Sequence, residues 1–279
     1  MSVLTAAQSR AFIRDARLPG LRAAKAKKLR AMRAPEKPLR LQTTGAQALI
    51  VGSGLVVAAD GVPAQTRADI VNCTLFAQLA ASGSVSQKSN VAAWYDAYFG
   101  ALTALGWAQS DRRFEKFATK STKLEAHQSI IKVLTTLLGP GAAALAVVAE
   151  TFDALKSMNE NSPWITLFDQ QSTAASSARF QVATAQLTPG GLVDIALVAF
   201  DLKSRVTLKQ LLFFKFKSSS TKLQYASGNA TIYEEVLAAN RQAVAARLQA
   251  YRDAFIGQVK FPPAPGAAVR RSRRRRAAG

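Results

Sequence analysis

The stretch from Ile130 to Ala149, IIKVLTTLLGPGAAALAVVA, is twenty residues long and holds one charge, Lys132. A run so long and so apolar must either enter a bilayer or be hidden inside a folded body. The Gly139-Pro140-Gly141 triplet divides it, because proline removes a backbone donor and blocks the preceding turn. Before the triplet, Ile131, Leu134 and Leu138 recur at helical spacing; after it, Leu145, Val148, Phe152, Leu155 and Met158 step by three or four, with Glu150, Asp153 and Lys156 on the other face. Both arms are amphipathic, which predicts a helical hairpin packed on a core. At ~1.5 Å per residue, the nine residues from Ile130 to Leu138 cover only about half of a ~30 Å hydrocarbon layer. The competing reading is one Pro-kinked membrane helix with Lys132 snorkelling, in which Ile131, Leu134, Leu138, Pro140, Leu145 and Val148 meet lipid.

The second constraint lies after Pro163. Four strand-like runs, at 177–187, 191–202, 205–218 and 221–226, are separated by two or three residues each. Connections so short join antiparallel neighbours only, since a parallel pair needs a crossover of a dozen residues. The expectation is a four-stranded antiparallel meander, with the doubly apolar run ending at Leu202 as an inner strand. A long helix from about Thr231 to Ile256, with Tyr233, Leu237, Val244, Leu248, Tyr251 and Phe255 on its apolar stripe, is expected to close the domain.

Earlier in the chain, Leu4 to Ala16 and Leu21 to Met32 read as basic helices ended by Pro19-Gly20 and by Pro35. Gln47 to Ala59 reads as a strand or tight hairpin. Its Gly52 and Gly54 lack the third glycine of a dinucleotide fingerprint, and nothing supplies a Walker lysine. Ala64 to Ala81 is apolar almost all round, hence a buried helix containing Cys73. Ser89 to Leu105 is a second helix whose Trp94, Tyr95 and Tyr98 are core anchors, and the segment from Trp107 to Ala118 fits a short strand. The expected class is α+β: amphipathic helices on a C-terminal antiparallel sheet. Its parts are a basic helical arm over 1–40, one core domain over 41–257, and a Pro- and Arg-rich tail over 258–279 expected to be disordered.

Charge is unevenly placed. The formal net charge is +20, and Arg10 to Arg40 hold eleven Lys and Arg against Asp15 and Glu36, a net +9, while Arg270 to Arg276 hold six Arg, a further +6. The candidate polyanion-binding residues are therefore Arg22, Lys25, Lys27, Lys28, Arg30 and Arg33 in one arm, and Arg270, Arg271, Arg273, Arg274, Arg275 and Arg276 in the other. No aromatic residue lies between Arg270 and Arg276, so base stacking is not suggested. Arg10, Arg14 and Asp15 interrupt the first apolar runs, which predicts no cleaved signal peptide and a cytoplasmic location, with export by a signal-independent route left open. The single cysteine allows no intrachain disulfide.

Catalysis finds little support. One His and one Cys, His127 and Cys73, sit in no nucleophile signature, and metal sites usually need several such ligands, so neither a metal nor another cofactor is expected. The carboxylates Glu115, Glu125, Glu150, Asp153, Asp194 and Asp201 could form a hydrolytic pair only if the fold gathers them; Glu150 and Asp153 read as a solvated helix face and Asp201 as a strand end. The functional expectation is a non-enzymatic binding or assembly protein whose arms engage an acidic macromolecule, either nucleic acid or an anionic surface, or a partner protein. The alternative is a membrane-active, toxin-like effector that uses the hairpin at 130–149.

Overall fold

A computed structural model of the chain describes residues 4–20, 45–85, 90–109, 113–117, 126–157, 173–174, 177–204 and 221–258. The apolar run at Gln47 folds as a hairpin, β1 (Gln47–Val51) and β2 (Gly54–Ala58), with every residue of both strands buried. Strands covered on both faces belong in the middle of a sheet. β2 indeed pairs in parallel with β6 (Ser177–Leu187), from Gly54 opposite Gln181 to Ala58 opposite Ala185. β6 then pairs antiparallel with β7 (Val193–Ser204), and β7 with β8 (Thr221–Ile232). Short strands finish the edges: β3 (Trp107–Gln109) and β4 (Glu115–Lys116) on β8, β5 (Thr173–Ala174) on β6, and β9 (Ile256–Gln258) on β1. The sheet runs β3-β8-β7-β6-β2-β1-β9.

The mixed α+β class stands, but the arrangement differs from the expected four-stranded meander. β7 and β8 are direct neighbours, with Ile195 opposite Ala230 and Ser204 opposite Thr221, so no strand lies between them; the run at 205–218 falls outside the described residues. Nor is the sheet wholly C-terminal, because the β1–β2 hairpin inserts beside β6. The long closing helix is also shorter than expected. The β-branched Thr231 and Ile232 pair with Ala108 and Trp107 as strand, and the helix divides into α6 (Glu234–Ala238) and α7 (Arg241–Phe255) at buried Asn240.

Helices cover both faces. On one face α1 (Ala6–Asp15), α2 (Ala64–Ser84), α3 (Val91–Ala104) and α7 meet Leu49, Val51, Val56, Ala183, Leu197 and Ala199. On the other, α4 (Ala126–Leu138) and α5 (Ala143–Ser157) meet Ile50, Leu55, Val57, Phe180, Val198 and Phe200. The two sets alternate along each strand, as a pleated sheet requires. α1 is closed at its start by a capping box between Thr5 and Gln8, and its Ile13 is 1% exposed, which places it in the packed body. The Asn90 side chain, rather than Ser89, caps α3 by accepting from Ala93 N at 3.2 Å.

The chain following α1 crosses α2 where α2 has no side chain. A Cβ on Gly83 would collide with the carbonyl oxygen of Arg17. Gly83→Ala should therefore force the two segments apart and cost about 1–3 kcal/mol. Chemical denaturation against the unaltered chain checks this; an unchanged midpoint would show that the crossing is not close-packed.

Candidate functional site

The hairpin is the element whose chemistry stands out. Gly139, at φ 86°, takes the left-handed conformation that ends α4, and Pro140 cannot continue a helix, so α5 starts afresh at Ala143. Leu134, Leu145 and Val148 are buried against the sheet, Ile131 and Leu138 are half-buried at the margin, and Pro140 is exposed at the tip. All six hairpin residues singled out in the sequence are thus brought into one element. The seventeen residues from Val133 to Ala149 carry no charge. That includes the outer surface, where Thr136, Pro140, Gly141, Ala143 and Ala146 are exposed. Three threonine hydroxyls of these helices are satisfied locally: Thr135 donates to Ile131 O at 2.8 Å, Thr136 to Lys132 O at 3.1 Å and Thr151 to Val147 O at 2.6 Å, while Ser129 Oγ is buried without a partner among the described residues.

The two helical layers hold the sheet by different means. On the α2–α3 side polar groups interlock. Gln78 Nε2 donates to Val51 O at 2.9 Å, and Ser53 N donates to Gln78 Oε1 at 2.9 Å. Ser53 Oγ is 3.2 Å from Gln181 Oε1, and Gln181 Nε2 donates to the Tyr95 hydroxyl at 3.1 Å. That hydroxyl lies 3.0 Å from Phe180 O and 2.7 Å from Phe200 O. Burial raises the Tyr95 pKa, keeping the phenol protonated as the donor this place needs. Arg179 stacks 4.3 Å over the Trp94 ring. On the hairpin side, Ala144 N donates to Gln186 Oε1 at 3.2 Å near the tip, and the packing is mostly apolar, with His127, Ser129 and Thr151 buried among it.

The remaining candidates do not assemble. Cys73 is buried on the α2 side of the sheet, whereas His127 packs its ring 6.0 Å from Phe152 on the hairpin side, so the sheet separates them. Glu150 and Asp153 are exposed on α5, and Asp201 is a buried residue within β7 rather than its end. Burial raises the pKa of Asp201, with Lys203 Nζ 3.5 Å away opposing that shift. Among the described residues no group of three His, Cys, Asp or Glu could hold a metal ion. Among them too, no helix is long and apolar enough to cross a membrane. Arg22, Lys25, Lys27, Lys28, Arg30, Arg33, Arg270, Arg271, Arg273, Arg274, Arg275 and Arg276, like Glu125, lie outside the described residues. The polar clamp made by Gln78, Ser53, Gln181 and Tyr95 escaped sequence reading; its one trace was Gln78 beside Phe76 and Leu79 in the apolar second half of α2.

No family model matches the chain, and no curated protein matches its sequence. Several solved structures are similar to it. One is a delta-endotoxin, 12% identical over 85% of this chain and 93% of that one, with a TM-score of 0.38. A second is the Evf virulence factor, 6% identical over 80% and 89%, with a TM-score of 0.36. A third is the activated Cyt2Ba monomer from Bacillus thuringiensis subsp. israelensis, 14% identical over 45% and 71%, with a TM-score of 0.27. Likeness at this level is distant, and no residue role passes from those chains to this one.

Burial pushes the Cys73 thiol up to about 12, so the reactive thiolate is scarce at neutral pH and the sulfur is also shielded. A thiol reagent should therefore leave the native protein unmodified and label one site after denaturant is added. Rapid labelling of the native chain would show that α2 opens. Since the unfolded thiol ionises near 9.0 and the folded one near 12, this group's contribution to stability falls as pH rises through that window.

Proposed function

We propose that this chain is a non-enzymatic protein that attaches to anionic membrane surfaces. In this reading the basic segments draw it to acidic lipid and the α4–α5 hairpin supplies the element that exchanges protein for lipid contact. The observation carrying it is the absence of charge from Val133 to Ala149 on the outer as well as the inner side of the hairpin. A helix that only shields a core normally bears charge on its solvent side, as α5 itself does further on at Glu150 and Asp153.

Two further points support the reading. The threonine hydroxyls of both helices are bonded to carbonyls of their own helix, so contact with lipid would leave them satisfied. Helices of 13 and 15 residues reach about 20 Å, short of a ~30 Å hydrocarbon layer, so the contact would lie in the interface rather than across it. Basic residues near an anionic leaflet contribute about 1 kcal/mol each, a pull the arms could deliver without a folded site. The same charge could bind nucleic acid through counterion release, and the experiment separates the two.

The full chain, mixed with phosphatidylcholine vesicles or with vesicles containing about a third phosphatidylserine, should sediment only with the latter, less so as salt rises. Ala146→Asp places a charge on the exposed outer side of α5 without touching the core; it should leave thermal unfolding unchanged and weaken vesicle binding several-fold. Equal binding by the variant would remove the hairpin from the contact. Binding to duplex DNA with none to anionic vesicles would transfer the function to nucleic acid.

A further inference from the structure

One end of the sheet gathers features that separate layers contribute. Among the described residues the exposed large hydrophobic side chains are Leu187, Leu192 and Tyr233, at 40%, 73% and 42%. Leu187 ends β6, Leu192 precedes β7, and Tyr233 follows β8. Because β6 and β7 pair Leu187 with Val193, and β7 and β8 pair Ile195 with Ala230, all three lie at the same end of the sheet. The hairpin tip is there too, since Ala144 N bonds Gln186. Apolar side chains scattered singly on a surface need no explanation, but this clustering at one end is different.

The chain's two most basic segments meet the described chain at the same end. β1 begins there, with Gln47 opposite Ala58, and β9 runs toward it, with Gln258 opposite Leu49. The segment 21–44, with eight Lys and Arg against one Glu, thus rejoins the described chain here at Gly45, and residues 259–279, with seven Lys and Arg and no acid, leave from here. Of the carboxylates at this end, Asp60 accepts from Gly45 N and Gly61 N at 2.8 Å each, and Glu234 is held by Arg241 at 2.6 Å. Asp194 and Glu235 remain against a net fourteen positive charges on the two joining segments.

Resting on the membrane reading above, we infer that this end of the sheet is the docking face, with Leu187, Leu192 and Tyr233 entering the headgroup region of an anionic bilayer beside the Gly139–Ala142 turn. The chemistry fits a lipid surface. Small apolar prongs on Gly- and Pro-rich turns slip between headgroups, tyrosine favours the interface, and clustered basic chain nearby supplies the long-range attraction.

The test uses the full chain and vesicles of phosphatidylcholine with about a third phosphatidylserine. Leu187→Ser and Leu192→Ser alter exposed positions, so thermal unfolding should be unchanged while each weakens binding roughly tenfold, in keeping with the transfer of one leucine from water. Placement is read separately. Leu192→Cys carrying an environment-sensitive fluorophore should blue-shift on binding and be quenched by lipids brominated near the headgroup, whereas the same label on exposed Lys222→Cys, at the far end of β8, should not. Buried Cys73 leaves these as the labelled sites in the native protein. If the unaltered chain binds but both serine variants bind equally well and the label at 192 stays in water, this docking face is wrong and the membrane reading survives. If the unaltered chain does not bind anionic vesicles, both fall.

Discussion

The parallel contact of β2 with β6 is the interaction on which the rest of the structure depends. It joins two pieces that are far apart in sequence, an N-terminal hairpin and a C-terminal meander, into one sheet whose hydrogen bonds run without a break from β9 to β3. Parallel strands must be covered on both faces, and both helical layers follow from that need. The contact is also where polar side chains converge. Gln78 reaches from α2 to the β1–β2 turn, Ser53 in that turn meets Gln181 on β6, and Gln181 meets Tyr95 on α3. One chain of hydrogen bonds thereby fixes hairpin, central strand and two helices in register. Every member is buried, so losing one partner would strand the others without water.

Much of this was legible in the sequence because the relevant signals are local. The spacing of Leu145, Val148 and Phe152, the break at Gly139-Pro140 and the apolar residues that surround most of α2 each follow from chemistry within a few residues. Pairing was less legible. Short connections correctly made β6 and β7 antiparallel neighbours, yet nothing local says that β2 lies beside β6, since that is decided by burial summed over distant residues. The run Gln47–Ala59 did contain a clue, because an apolar strand without alternation asks for cover on both faces. In the closing helix, a stripe of apolar residues from Tyr233 to Phe255 continued through Asn240, and only the sheet's claim on Thr231 and Ile232 shows where strand gives way. The site is legible unevenly. Leu134, Leu145 and Val148 are buried as their spacing required, but in α4 Ile130 and Val133 are buried while Ile131 and Leu138 lie at the margin, and the basic residues, recognisable by charge alone, lie outside the described structure.

The α2–α3 face of the sheet thus carries a buried polar network in addition to its apolar core, and that addition has consequences for motion. Hydrogen bonds such as those of Tyr95 to Phe180 O and Phe200 O are directional, and a layer held by them moves only if several break together. The second helical clamp on that side is equally specific: Arg241 grips Asp69 through Nε at 3.0 Å and through a second nitrogen at 2.8 Å, and these bonds raise the arginine's pKa. Apolar contact has no preferred direction and no unsatisfied remainder, so a layer held mainly by it can slide, or trade one apolar neighbour for another, at a cost set by area alone. Local opening follows the weakest cooperative unit. Should the α4–α5 hairpin open, its threonine hydroxyls stay bonded within their own helices and buried Ser129 Oγ, unpaired among the described residues, gives up no partner, while the inner surface of the hairpin is otherwise largely apolar. The sheet beneath would be left with Phe180 and Phe200, stacked 4.5 Å apart, facing outward, which in water is unfavourable enough to hold the hairpin in place. Under the proposed membrane reading, an apolar surface reaching the hairpin from outside would lower that cost for the helices though not for the sheet, so lipid contact begun at the exposed tip would favour partial over complete release.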